Sequence, residues 1–136
     1  MALPATEEII DDLAFFDDWE QRYQYIIDLG KHLPGLPEEA RTPDRLVKGC
    51  QSNVWLLPHQ QDGVFRFEVD SDAVIVQGLL ALVMAAYNNK SANEILAFDI
   101  DGYFSELDLE RHITPTRGNG LRAIVGKIRE LAASAA

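Results

Sequence analysis

The chain holds one cysteine, Cys50, and it stands where a thiol can react. A free cysteine on the apolar face of a strand or helix ordinarily behaves as a small buried hydrophobe. Cys50 is on neither. It follows Gly49, has Lys48, Gln51 and Ser52 as polar neighbours, and lies where a polar, proline-bearing stretch meets a run of strand formers. A neighbouring glycine lets the backbone approach a partner closely, and Arg45 and Lys48 favour the thiolate. A structural thiol and a reactive one both stay open on this context. Three chemistries are available to a lone reactive thiol. A cysteine hydrolase needs a base and an oxyanion hole; His112 is the best base candidate, with Asp72 or Asp101 behind it, but no nucleophile elbow is present. A redox sensor or disulfide exchanger usually has a resolving cysteine, which this sequence lacks. A carrier that accepts a group on sulfur needs one thiol, a mobile loop and a docking surface. The missing second cysteine then spares its cargo from an intramolecular disulfide.

One cysteine also excludes an internal disulfide and a cysteine-only metal site. No cofactor and no bound metal are expected, and a reducing compartment is suggested. The 136 residues imply one domain spanning 1–136. The composition, 47% hydrophobic and 25% charged, is that of a globular chain and excludes disorder. Twelve basic residues against 22 acidic ones leave a formal charge of −10. That balance disfavours a nucleic-acid or anionic-membrane partner, since both call for net or clustered positive charge. The first residues, MALPATEEII, lack a basic region followed by an apolar one, so no signal peptide is expected. The longest apolar run, Leu79 to Tyr87, has nine residues, against the ~20 of a membrane-spanning helix. The expected location is the cytoplasm.

The elements that must position Cys50 follow from period and punctuation. Thr6 is a candidate N-cap for a helix carrying Ile9, Ile10, Leu13 and Phe16. Asp17 and Glu20 have capping-box spacing ahead of a second helix that buries Trp19, Tyr23, Ile26, Ile27 and Leu33 and ends at Pro34-Gly35. Residues 34–49 read as a loop, with a helical turn at Glu38–Ala40. Ser52–Leu57 and Val64–Val69 read as strands joined by an Asp62-Gly63 hairpin turn. Phe65, Phe67 and Val69 share one face, and Trp55 is assigned to the core. Ala73–Val76 is expected as a short third strand after the Asp70-Ser71-Asp72 turn. Gly78–Tyr87, apolar nearly all round, is expected as the central buried helix. Ser91 and Glu94 form a capping box for a helix at 94–98, and a short helix is expected near Tyr103–Leu107. A last helix opens at Gly118 or Asn119, burying Leu121, Ile124, Val125, Ile128 and Leu131 and exposing Arg122, Lys127, Arg129 and Glu130. Helices, then a small three-stranded antiparallel sheet, then helices make an α+β fold of two layers.

The run Val47-Lys48-Gly49-Cys50-Gln51-Ser52-Asn53-Val54-Trp55 resembles the GCQS-x-VW signature of the SufE family, which includes the CsdE-type proteins. The resemblance extends over nearly the whole chain. Trp19-Glu20, Tyr23, Tyr25-Ile26-Ile27, Leu29-Gly30 and Leu33-Pro34 resemble the family's second helix. Asp70-Ser71-Asp72-Ala73 and Val76-Gln77-Gly78-Leu79 resemble its turn and following segment. Phe98-Asp99 and His112-Ile113-Thr114-Pro115 through Arg117, Gly120 and Leu121 resemble its C-terminal part, with Ile113 where leucine is common.

The resemblance implies a fold like that of the IscU-type scaffolds and a sulfur-transfer accessory role rather than that of a stand-alone enzyme. A pyridoxal-phosphate cysteine desulfurase of the SufS/CsdA type forms a persulfide on its own cysteine. Cys50 accepts that sulfur, the desulfurase is stimulated, and an iron–sulfur cluster assembly scaffold receives the sulfur. An iron–sulfur scaffold and a non-catalytic desulfurase activator are the alternatives. On this reading Cys50 is the catalytic residue. Arg117 pairs with the sulfur anion or a partner carboxylate, Asp72 anchors the Cys50 loop or a desulfurase contact, and His112 shuttles a proton. Gln51 and Ser52 orient the thiol loop. Each supporting residue also has a plainer role: a solvated arginine, turn chemistry at Asp72, a packed histidine, a strand cap. A persulfide is easily lost to stray thiols, so the loop is expected to shelter the sulfur and swing out on docking.

Overall fold

Alternating and helical apolar patterns build most elements where the sequence places them, and a few polar side chains decide where they end. The computed structural model describes residues 3–49, 52–109, 113 and 115–135, with side chains described at all of these except 115–119. The first helix, α1 (Thr6–Phe15), buries Ile9 and Leu13. Thr6 is its first helical residue rather than its cap. Ala5 stands at the N-cap without a side-chain bond, and Glu7 and Glu8 supply the negative charge that suits a helix start. The second, α2 (Trp19–Gly30), is capped by Asp18, not Asp17; the Asp18 carboxylate accepts from Gln21 N–H at 2.8 Å. Of the residues expected inside, Ile26 is buried while Trp19, Tyr23, Ile27 and Leu33 are half-buried; Leu29 and Gly30 complete the buried set. The helix stops at Gly30, ahead of Pro34, whose ring disfavours the helical region for the residue before it. His32 and Leu33 close it with tighter turns onto Leu29 and Gly30 carbonyls. The Tyr25 hydroxyl donates to Asp12 at 2.7 Å and ties α1 to α2.

The sheet has three antiparallel strands in the order β1-β2-β3. Strands β1 (Val54–Gln61) and β2 (Val64–Ser71) pair along their whole length. They are joined by Asp62-Gly63 with φ of 55° and 77°, the conformation a two-residue hairpin turn needs. Val54, Leu56, Phe65, Phe67 and Val69 form the buried face. Trp55 faces the other way and is half-buried, correcting its assignment to the core.

The third strand is not Ala73–Val76. Val74 opens the long helix α3 (Val74–Tyr87). The Ser71 hydroxyl accepts Ala73 N–H at 3.2 Å, and Gln77 N–H already bonds the Ala73 carbonyl. The short apolar run belongs to the start of a helix that is buried nearly throughout, and periodicity alone does not separate that from a strand. The actual β3 is Lys90–Ser91, paired with Phe65 and Val64. It is led in by Asn88, whose side chain accepts Phe67 N–H at 2.8 Å.

Helix α3 packs on the sheet and against α2. The α2–α3 crossing depends on two glycines. A Cβ on Gly30 would lie 2.7 Å from Gly78 N, and one on Gly78 would strike the Ile26 carbonyl. Helix α4 (Ala92–Ala97) carries the Ser91/Glu94 capping box in full. Helix α5 (Ile100–Glu106) is capped by Asp99, which accepts from Gly102 N–H.

Helix α6 (Pro115–Ala135) begins earlier than Gly118 or Asn119, because proline suits the first helical position. It buries Leu121, Ile124, Val125 and Ile128 in the core. Arg129 does not simply face water. Its guanidinium donates to the Ile95 and Leu96 carbonyls at 3.4 and 3.3 Å, closing the C-terminal end of α4.

Candidate functional site

Cys50 and Gln51 lie outside the described residues, but the chain on both sides of them is fastened. On the incoming side a single helical turn, Pro43–Arg45, is held by Arg45, whose guanidinium donates to the Ala40 carbonyl at 2.7 Å. Leu46 then bridges Trp55 in antiparallel fashion, and Val47 N–H donates to the Val54 carbonyl at 2.9 Å. Lys48 and Gly49 turn away, Gly49 with φ of +94°. A Cβ at Gly49 would lie 3.3 Å from the Ala123 side chain of α6. The Val47–Val54 pair thus fastens the chain on both sides of Cys50, which lies between them in the sequence.

On the outgoing side Asn53 is the anchor. Its carbonyl accepts from the Ser71 hydroxyl at 2.7 Å and from Asp72 N–H at 3.4 Å. Its side-chain amide donates to Asp72 Oδ2 at 3.1 Å. The structure thus places the exposed Asp72 carboxylate against Asn53, three residues after Cys50 in the sequence. Ser52 is half-buried in a bend directly before Asn53.

Behind this anchor sits Asp70, which reads in the sequence as a turn residue and was not a candidate. It is 4% exposed. Oδ2 accepts from Leu36 N–H at 2.9 Å and from Arg41 Nη2 at 2.7 Å. Oδ1 accepts from Ser71 N–H at 2.8 Å and the Gln77 amide at 3.1 Å. Burial alone would push this carboxyl upward, but the Leu36 N–H, the Arg41 guanidinium and the Ser71 N–H outweigh it and hold it below the usual carboxylate range. The same guanidinium lies over the Trp55 ring, 5.2 Å from its centroid. Asp70, Arg41 and Trp55 so lock the 35–41 segment to the strand that leaves the Cys50 loop. Gly35, at φ +69°, makes room; a Cβ there would lie 3.1 Å from Asp70 Oδ2. Arg41 and Asn53 also escaped the sequence reading. Their partners lie 29 and 18–19 residues away, and no local pattern marks such bonds.

Of the remaining candidates, His112 lies outside the described residues. Arg117 lies in the first turn of α6, and its side chain is outside them too. Asp101 is on α5, where it lines a pocket of about 370 Å³ with Arg122 and Arg129. Asp72 and Asp101 are thus on different elements, and Asp72 is engaged with Asn53.

The profile of the SufE family, described as an Fe-S metabolism associated domain, matches residues 7–132. The chain belongs to the SufE family. An uncharacterised SufE-like protein of Rhizobium etli is 48% identical over 132 residues, covering 94% of this chain and 89% of that one. An uncharacterised SufE-like protein of Rhizobium meliloti is 44% identical over 131 residues, covering 93% and 94%. The solution structure of a hypothetical protein from Thermus thermophilus shares the fold, with a TM-score of 0.78 at 20% identity and coverage of 99% and 98%. The family places this SufE-type chain in Fe–S metabolism. Among the described residues no helix is long and apolar enough to cross a membrane.

Proposed function

We propose that this SufE-family chain accepts sulfur on Cys50 from a pyridoxal-phosphate cysteine desulfurase and delivers it to an iron–sulfur assembly scaffold. The observation that carries the reading is the lone cysteine of a SufE-family chain, standing in sequence between a paired segment before it and an anchored one after it. The Cys50 thiolate attacks the terminal sulfur of the desulfurase persulfide. A sulfur–sulfur bond forms at Cys50 as the one in the desulfurase breaks, and the desulfurase cysteine leaves as a thiolate. No net oxidant is consumed, because one persulfide replaces another.

Rigid loop ends suit this task. They fix the points at which the chain enters and leaves the stretch that carries the thiol. Cluster scaffolds hold iron through several thiolates as a rule, and one cysteine does not favour that alternative. The test is desulfurase turnover with wild-type and Cys50→Ala protein. The carrier reading expects the variant to fold and to lose stimulation in the presence of a thiol acceptor. Full stimulation by Cys50→Ala would replace it with a non-catalytic activator.

A further inference from the structure

From Leu36 to Val47 the chain runs as a strap toward Cys50, and each end is tied through a backbone N–H. Leu36 N–H donates to Asp70 Oδ2 at 2.9 Å, and Val47 N–H donates to the Val54 carbonyl at 2.9 Å. Between them lie two single helical turns, Glu38–Ala40 and Pro43–Arg45. Within the strap only Leu36 is buried, so apolar burial does little to hold its middle. Arg41 supplies the hold.

The Arg41 guanidinium reaches two groups that stand opposite each other in the sheet. Nη2 donates to Asp70 Oδ2 at 2.7 Å, and the guanidinium carbon lies 5.2 Å from the Trp55 ring centroid. Asp70 and Trp55 are partners across β2 and β1, and Trp55 is bridged on its other side by Leu46. The row Leu46, Trp55, Asp70 joins the chain before Cys50 to the chain after it, and Arg41 closes over that row. Its side chain is 36% exposed, so the ion pair contributes modestly to stability. Without Arg41, Asp70 would keep Leu36 N–H, Ser71 N–H and the Gln77 amide as donors. The fold therefore survives its loss, while the middle of the strap comes free.

We propose that Arg41 is a positioning residue for sulfur transfer at Cys50. The inference rests on the sulfur-acceptor reading. Attack on a persulfide needs the two sulfurs aligned, and a misplacement of about 1 Å can cost about 100-fold in rate. Arg41 acts through Asp70 and Trp55, which set the register of the segments on either side of Cys50. A lysine would restore a cation beside Asp70 but not the flat fork that stacks on the ring.

The experiment follows sulfur on Cys50 in single turnovers with a persulfide-bearing pyridoxal-phosphate cysteine desulfurase at varied concentration. Wild type is compared with Arg41→Gln and Arg41→Lys, each checked by circular dichroism. Arg41→Gln should lower the saturating transfer rate about tenfold while the half-saturating concentration stays within about twofold. Arg41→Lys should lose about threefold, and it carries the test if Arg41→Gln fails to fold. Hydrogen exchange of the ¹⁵N-labelled chain reads the strap itself. The Val47 amide should exchange about tenfold faster in Arg41→Gln, while that of buried Leu80 in α3 changes only with global stability. A wild-type transfer rate in both variants would overturn the inference and leave the acceptor reading standing. Faster Val47 exchange at an unaltered transfer rate would make Arg41 a structural tie alone and overturn it too. A raised half-saturating concentration at an unaltered saturating rate would assign Arg41 to desulfurase binding, again against the inference. Wild-type protein that takes no sulfur from an active desulfurase would overturn the acceptor reading itself, and the positioning role with it.

Discussion

Asp70 carries charge where the chain has almost no water, 4% exposed and met by four donors. Removing it leaves the Leu36 N–H and the Arg41 guanidinium without their acceptor. Asp70→Ala should therefore destabilise the fold by about 3 kcal/mol, read from urea denaturation, with the Arg41 stack on Trp55 lost as a change in tryptophan fluorescence. Asp70→Asn, which keeps the shape but not the charge, should cost less. The sign of the pH dependence follows from the carboxyl lying lower in the folded chain than in the unfolded one. The contribution is complete at neutral pH and is lost as pH falls below roughly 4 through the folded value. Wild-type stability should drop across that window more steeply than that of Asp70→Asn; parallel curves would contradict it. Asp70 was illegible in sequence because Asp-Ser-Asp spells a turn. Its partners come from Leu36, Arg41 and Gln77, which only the folded chain assembles. Asp72 stands in the same turn, and its bond to Asn53 spans 19 residues that only the fold brings together.

Elements were legible where periodicity was long and punctuation unambiguous. The Asp62-Gly63 hairpin, the Phe65-Phe67-Val69 face, the Ser91/Glu94 capping box and the Glu38–Ala40 turn stand where the residues put them. The third strand was misplaced, because Ala73–Val76 is as apolar as the helix it starts, while Lys90–Ser91 is two polar residues paired only because Asn88 and Asn89 fasten them to β2. Two glycines show the same helix-level physics with opposite signs. At Gly78 an added methyl meets the Ile26 backbone, so Gly78→Ala should destabilise by about 3 kcal/mol and force α2 from α3. At Gly126 it meets nothing, so Gly126→Ala should stabilise by about 0.5–1 kcal/mol. Thermal denaturation of both variants checks the pair. Equal effects would show that the α2–α3 contact is not the constraint it is taken to be.

At the scale of the whole molecule, the −10 charge is not spread evenly. Residues 41–48 and Pro115–Ala135 hold seven basic residues and two acidic ones, while Asp70 and Asp72 stand at the exit of the loop. The α+β class and the antiparallel sheet could be read from the order of patterns, since they need only period and turn chemistry. The uneven charge needed the fold, because residues 41–48 and α6 come together only in three dimensions. The proposed sulfur acceptor, sheltering its thiol until it docks, predicts that iodoacetamide alkylates Cys50 about severalfold more slowly in the free protein than with desulfurase bound. Equal rates in both states would show that no switch operates.

The most direct test of the central claim is mass spectrometry of the intact protein and its Cys50 peptide after incubation with a cysteine desulfurase and L-cysteine. The account predicts a gain of one sulfur on Cys50, removed by a reducing agent and absent in a folded Cys50→Ser variant. An unmodified Cys50 peptide, under conditions in which the desulfurase turns over L-cysteine, would contradict it.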